Sequence, residues 1–150
     1  MISTAVISHG ISARTFHIPF IIADSGFSLD MILERSGDTA QKQYPNIKIA
    51  RTLQEVLDDR EIELVVICSP NETHFPYAKA ALLAGKHVVV EKPFTNTSAE
   101  AKELIELSAS TGKVCSVYQN RRYVTDFLTM KKIVDDGILG EPREFFAHYD

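Results

Sequence analysis

Backbone amides at a glycine-rich turn can hold a pyrophosphate, and Ser8-His9-Gly10-Ile11-Ser12-Ala13 has the G-x-G-x-x-G spacing of such a turn. Gly10 keeps the middle glycine, where backbone must approach phosphate closely. Ala13 at the third position still lets a helix pack close to its strand. Ser8 departs from the pattern: its Cβ resists the angles of a tight glycine turn, although its hydroxyl could donate to a phosphate. A plain strand-to-helix turn is the alternative reading. About 24 residues beyond Gly10 stand Glu34, Arg35 and Ser36. Glu34 is placed to accept bonds from the hydroxyls of an adenosine ribose. Arg35 and Ser36 are equally suited to a ribose 2′-phosphate, with a guanidinium for charge-assisted contacts. The two readings imply NAD and NADP respectively, and the triplet leans to NADP; Glu34 turned outward at a solvated strand end is the bland alternative.

Short apolar runs alternate with helix-patterned stretches, which predicts repeated βαβ units and a doubly wound, three-layer α/β domain of Rossmann type. The strands are expected at 2–7, 27–33, 47–50, 64–68, 87–90 and 114–118. Helices are expected at about 11–22, 39–43, from Thr52 onward, 75–84, from a Ser98 cap to about 111, and 123–136. Gly85 and Gly112 stand where helices stop. The closing segment Arg143 to Asp150 reads as the start of a further strand. In such a sheet ligands lie beyond the carboxyl ends of the strands. The loops to inspect are therefore Ser69-Pro70-Asn71-Glu72-Thr73-His74 and Glu91-Lys92-Pro93-Phe94.

Composition narrows the classes. With 45% apolar residues, 16 Lys+Arg against 20 Asp+Glu and a net charge of −4, the chain has the make-up of a globular domain without a basic surface for nucleic acid. Cys68 and Cys115 stand apart, with no CxxC spacing. They read as free thiols in a reducing compartment, and no metal site is expected. No apolar run reaches the roughly 20 residues of a membrane span, and the first residues lack a signal pattern, so the expected location is the cytoplasm. No Gly-Lys-Ser/Thr follows the first strand, which excludes a P-loop.

Ser69-Pro70-Asn71 with His74, and Ala84-Gly85-Lys86-His87-Val88-Val89-Val90-Glu91-Lys92-Pro93, resemble the glucose-fructose oxidoreductase / inositol dehydrogenase / MocA family of NAD(P)-dependent oxidoreductases. Phe16-His17-Ile18-Pro19 and Ser116-Val117-Tyr118-Gln119-Asn120-Arg121-Arg122 resemble a subgroup that includes scyllo-inositol dehydrogenases. The resemblance runs from about Ala5 to the end and departs at the first glycine of the turn.

The resemblance implies a sugar or polyol dehydrogenase in which Lys92 is the catalytic residue, hydrogen-bonded to the oxygen on the reacting carbon. An ammonium there lowers the cost of a developing alkoxide. Glu91 would orient Lys92 or the nicotinamide ribose, and Pro93 would fix the turn. Cofactor contacts are implied for Ser8, Gly10, Ile11, Ser12, Ala13, Glu34, Arg35, Ser36, Ser69, Pro70, Asn71, His74, Glu91, Lys92, Gln119, Asn120 and Arg122. Beside these stand plainer readings: an exposed Glu91–Lys92 ion pair, His74 as a helix-starting residue, and His17 as a packed rather than catalytic histidine. Arg121 and Arg122 could be solvated charges, although cations are disfavoured at a helix start. The resemblance also implies a second, substrate-binding α/β domain. The expected organisation is a dinucleotide-binding domain over 1–122, then a linking helix and the first strand of that second domain over 123–150. The segment would not turn over substrate alone, and its aromatic edge would pair with another copy. A non-catalytic nucleotide-binding or self-associating module is the competing expectation.

Overall fold

The computed structural model describes residues 1–148, which fall into two compact units, Met1–Tyr118 and a second that begins at Gln119. The first unit holds a six-stranded, all-parallel sheet in the order β3-β2-β1-β4-β5-β6. Its strands are β1 (Ile2–Ile7), β2 (Phe27–Leu33), β3 (Lys48–Ala50), β4 (Leu64–Ile67), β5 (His87–Val90) and β6 (Cys115–Val117). The helices are α1 (Ile18–Ala23), α2 (Thr39–Gln43), α3 (Leu53–Asp58), α4 (Asn71–Leu83) and α5 (Ser98–Thr111).

Side chains alternate across a strand, so a sheet covered on both faces builds two cores from one set of strands. Ala5, Ile7, Val65, Ile67, Val88 and Val90 join Val56 of α3, Ala78 and Leu82 of α4, and Leu104 of α5 in one cluster. Val6, Ile32 and Val66 face the other way, against Ala13, Ile18, Ile21 and Ala40. Each fully buried aliphatic side chain contributes about 1.5–3 kcal/mol by area. Lys86, buried just before β5, spends its Nζ on the Asp59 and Ile62 carbonyls at 2.6 and 2.8 Å.

Three boundaries differ from the sequence reading. The helix expected from residue 11 contains a π turn, Ala13–His17, in which the Ile18 amide donates to Ala13 O, and α1 follows. Pro19 explains the widened turn: it has no N–H for the carbonyl four residues back, and its ring crowds that group. Helix α4 starts at Asn71 rather than near Phe75. The Thr73 hydroxyl donates to Pro70 O at 2.6 Å, and Pro76 sits early enough to be carried by the helix. Helix α5 is capped by Thr97, not Ser98, in a reciprocal capping box with Glu100.

The second unit contains a 3₁₀ turn, Asn120–Tyr123, and a helix α6, Thr125–Asp135. Lys132 pairs with Asp136 at 2.6 Å along it, and Lys131 with Asp135. The expected closing strand is not formed: residues 143–148 are irregular, and Tyr149 and Asp150 lie outside the described residues. A strand exists through its ladder, and among the described residues no segment pairs with this one.

Candidate functional site

The carboxyl ends of β1, β2 and β4 meet at a cleft of about 240 Å³. It is lined by Ser8 to Gly10, by Glu34 to Ser36, and by Ser69 and Pro70. Three loops that the sequence reading treated separately are thus neighbours.

Ser8 adopts φ +87°, a conformation natural to the glycine it replaces. Its Oγ accepts the Gly10 amide at 3.2 Å, so the side chain holds one of the turn's own donors. Replacing it with glycine removes a Cβ strain of about 1–2 kcal/mol and frees that amide, at the cost of extra unfolded-chain entropy. Ser8→Gly is therefore expected to leave stability within about 1 kcal/mol of the parent while tightening dinucleotide binding about fivefold, the worth of one hydrogen bond. Titration by nicotinamide fluorescence checks it; weakened binding would mean that the hydroxyl itself serves the phosphate.

Glu34 is buried, and its carboxylate points into the protein. Oε1 accepts the Thr39 amide at 3.1 Å and the Thr39 hydroxyl, and both oxygens accept the Ala40 amide at 3.3 Å. Burial pushes this carboxyl up, but those hydrogen bonds and the nearby His9 outweigh it and hold it below the ordinary glutamate value. Glu34 therefore does not turn outward: its carboxylate caps α2, while the residue still lines the cleft. Arg35 and Ser36 remain exposed on the cleft wall. Arg51 donates from Nη1 to Glu34 O at 2.7 Å and to Gly37 O at 2.8 Å. His9, absent from the sequence-based site, also lines the cleft. The Thr39 hydroxyl gives its proton to Glu34 and so accepts from His9 Nδ1 at 3.1 Å, while the buried His9 Nε2 has no partner among the described residues. The exposed Arg35 and Ser36 side chains and the backbone amides of the turn fit a polar, phosphate-bearing ligand.

The second half of the site gathers at the end of β5. Glu91 is buried. Ser12 Oγ donates to its Oε1 at 2.5 Å, His17 Nε2 meets the same oxygen at 3.0 Å, and the Lys92 amide donates to Oε2 at 2.9 Å. Burial alone would raise the carboxyl, yet these donors keep it below its ordinary value. Burial lowers His17 more than Glu91 raises it, so a neutral Nε2–H donates to a carboxylate. The His17 ring lies 4.1 Å from that of Tyr118, whose hydroxyl donates to Phe16 O at 2.9 Å. The exposed Glu91–Lys92 ion pair is thus replaced by a buried carboxylate that grips the Lys92 backbone, while Lys92 itself is exposed. Burial and the Glu91 charge push the Cys68 thiol up to about 12, so it stays protonated.

His74 is buried, with Nδ1 2.7 Å from Pro93 O and Nε2 2.9 Å from Ser69 O. It ties the loop after β4 to the Lys92–Pro93 turn. Asn71 opens α4 in an exposed position, and Ile11 is 74% exposed. Gln119, Asn120 and Arg122 lie in the second unit, where Gln119 precedes the 3₁₀ turn and Arg122 sits 5.9 Å from the Phe127 ring centroid. Among the described residues no cluster of three or more His, Cys, Asp or Glu is placed to hold a metal, and no helix is long and apolar enough to cross a membrane.

Known oxidoreductases share this sequence and fold. The chain is 43% identical over 149 residues to the uncharacterized oxidoreductase YdgJ of Escherichia coli (strain K12), covering 99% of this chain and 43% of that protein. It is 32% identical over 149 residues to scyllo-inositol 2-dehydrogenase (NADP(+)) IolW of Bacillus subtilis (strain 168), covering 99% and 42%. Among solved structures, an oxidoreductase from Bacillus cereus superposes with a TM-score of 0.87 at 38% identity, over 94% of this chain and 41% of that one. The chain thus spans less than half the length of these relatives. Residues 2–119 match the GFO_IDH_MocA oxidoreductase family, NAD-binding Rossmann fold, and the chain belongs to that family of NAD(P)-dependent oxidoreductases.

Proposed function

We propose that this chain is the cofactor-binding half of an oxidoreductase that moves hydride between NADP and the carbinol carbon of a sugar or inositol-like polyol. The observation that carries the reading is that the Glu34 carboxylate is engaged by Thr39 and Ala40, which supports Arg35 and Ser36, exposed on the cleft wall, as the groups that take a ribose 2′-phosphate. The NADP(+) in the name of the 32% identical relative supports the same choice, and its substrate supports the polyol class. Bound dinucleotide supplies the hydride acceptor or donor. The amides of the Ser8–Ala13 turn bind its pyrophosphate, Arg35 and Ser36 the 2′-phosphate, and Asn71 and Ser69 the stretch between. In the reducing direction Lys92, its backbone held by Glu91, donates from Nζ to the carbonyl oxygen, stabilises the alkoxide that forms as hydride arrives, and gives it the proton that completes the alcohol. Substrate contacts and the closing of the site belong to a second domain.

Titrating the chain with NADPH and NADH tests this reading. NADPH is expected to bind at least about tenfold more tightly, one charge-assisted contact being worth that factor. Binding of neither would favour a module without dinucleotide function, and preference for NADH would overturn the NADP assignment.

A further inference from the structure

The loop after β2 is an arch whose two feet are tied by one side chain. Arg51 follows β3 directly, and the Glu34 amide donates to Ala50 O at 3.0 Å, which brings Arg51 beside the arch. Its Nη1 donates to Glu34 O at 2.7 Å and to Gly37 O at 2.8 Å, spanning the two residues between. Gly37, at φ +87°, turns the chain so that its carbonyl faces the guanidinium. Glu34 Oε2 lies 3.8 Å from Nη1, so the same cation balances the carboxylate beneath the arch. The Glu34 side chain is meanwhile spent on Thr39 and Ala40. Among the described residues the side chains of Arg35 and Ser36, at the crown, make no hydrogen bond, and both line the cleft.

Resting on the NADP reading above, we propose that Arg51 is a positioning residue for cofactor choice: it holds the arch so that Arg35 and Ser36 present their side chains together to a 2′-phosphate. A single donor atom on two carbonyls three residues apart closes the arch into a ring. Without it both carbonyls lose a charged donor, and the crown loses the geometry that converges Arg35 and Ser36 on one anion. The guanidinium also offsets Glu34, which would otherwise repel a phosphate dianion close by. An adenosine ribose that carries only hydroxyls gains little from either effect. The consequence therefore falls on one cofactor and spares the other.

The test is the ratio of NADH to NADPH dissociation constants, measured by nicotinamide fluorescence for the parent chain, Arg51→Met and Arg51→Lys. Arg51→Met is expected to weaken NADPH about tenfold and NADH less than about twofold, so the ratio collapses. Arg51→Lys, whose ammonium carries three donors, is expected to recover about half of the loss on a logarithmic scale. Equal weakening of both cofactors, or an unchanged ratio in both variants, overturns the role for Arg51 while leaving the NADP reading intact. A parent chain that prefers NADH overturns the NADP reading, and this role with it. Arg51→Lys answers the question even if Arg51→Met fails to fold.

Discussion

Replacing Glu91 by alanine is expected to lower the unfolding free energy by about 3 kcal/mol at pH 7, the scale for breaking a buried, hydrogen-bonded charge. Three donors converge on its carboxylate, from the Ser12 hydroxyl, the His17 ring and the Lys92 amide. Removing the acceptor leaves Ser12 and His17 facing a void between the first turn and the end of β5. The effect depends on pH in a defined direction. The Glu91 carboxyl lies below its ordinary value of 4.5 in the folded chain, so its contribution is complete above that value and fades as pH falls through the lowered one. His17 lies below its ordinary 6.5 because burial disfavours the cation, so the unfolded chain takes up the proton first and stability also declines as pH drops below 6.5. Urea unfolding from pH 7 to pH 3 should show the gap between parent and Glu91→Ala persisting down to the ordinary glutamate value of 4.5 and narrowing below it. A gap that stays constant over that range would mean that the carboxylate's charge contributes nothing.

Arg35→Ala is expected to weaken NADPH by about tenfold to a hundredfold, while NADH changes less than about twofold. The guanidinium stands exposed on the cleft wall, beside Ser36 and above a carboxylate already committed to α2. A charge-assisted contact to phosphate contributes about 1.5–3 kcal/mol, which sets the range. Only a cofactor with a 2′-phosphate draws on it. Parallel titrations of both cofactors check the prediction, and equal losses would place Arg35 on the pyrophosphate instead.

Much of the architecture was legible because its signals are local. Runs such as Leu64 to Ile67 are apolar on both sides of the pleat, and Gly85 and Gly112 take the positive φ that ends a helix. The fold class and the family follow from such patterns and from the Glu-Lys-Pro turn. What escaped was set by contacts distant in sequence. The direction of the Glu34 carboxylate was settled by amides at the start of α2, not by its place at a strand end. The partner of Glu91 lies 74 residues away at His17, which the π turn before Pro19 carries into the core. His9 was passed over inside a motif valued for its glycines. Arg51 carried no signal, because a guanidinium that binds carbonyls of a neighbouring loop has no sequence spacing to betray it. The strand expected from Arg143 failed for want of a ladder, which no residue pattern can supply alone.

The central claim is that a dinucleotide spans the carboxyl ends of β1, β2 and β4, with its phosphates on the Ser8–Ala13 turn. Backbone amide chemical shifts of the ¹⁵N-labelled chain, followed as NADPH is added, test it most directly. The largest changes are predicted at Gly10 to Ala13, at Arg35 and Ser36, and at Asn71, with α6 and the outer face of α5 unmoved. Saturating NADPH that leaves the Gly10 and Arg35 amides unshifted, or shifts only residues away from the cleft, would contradict the account.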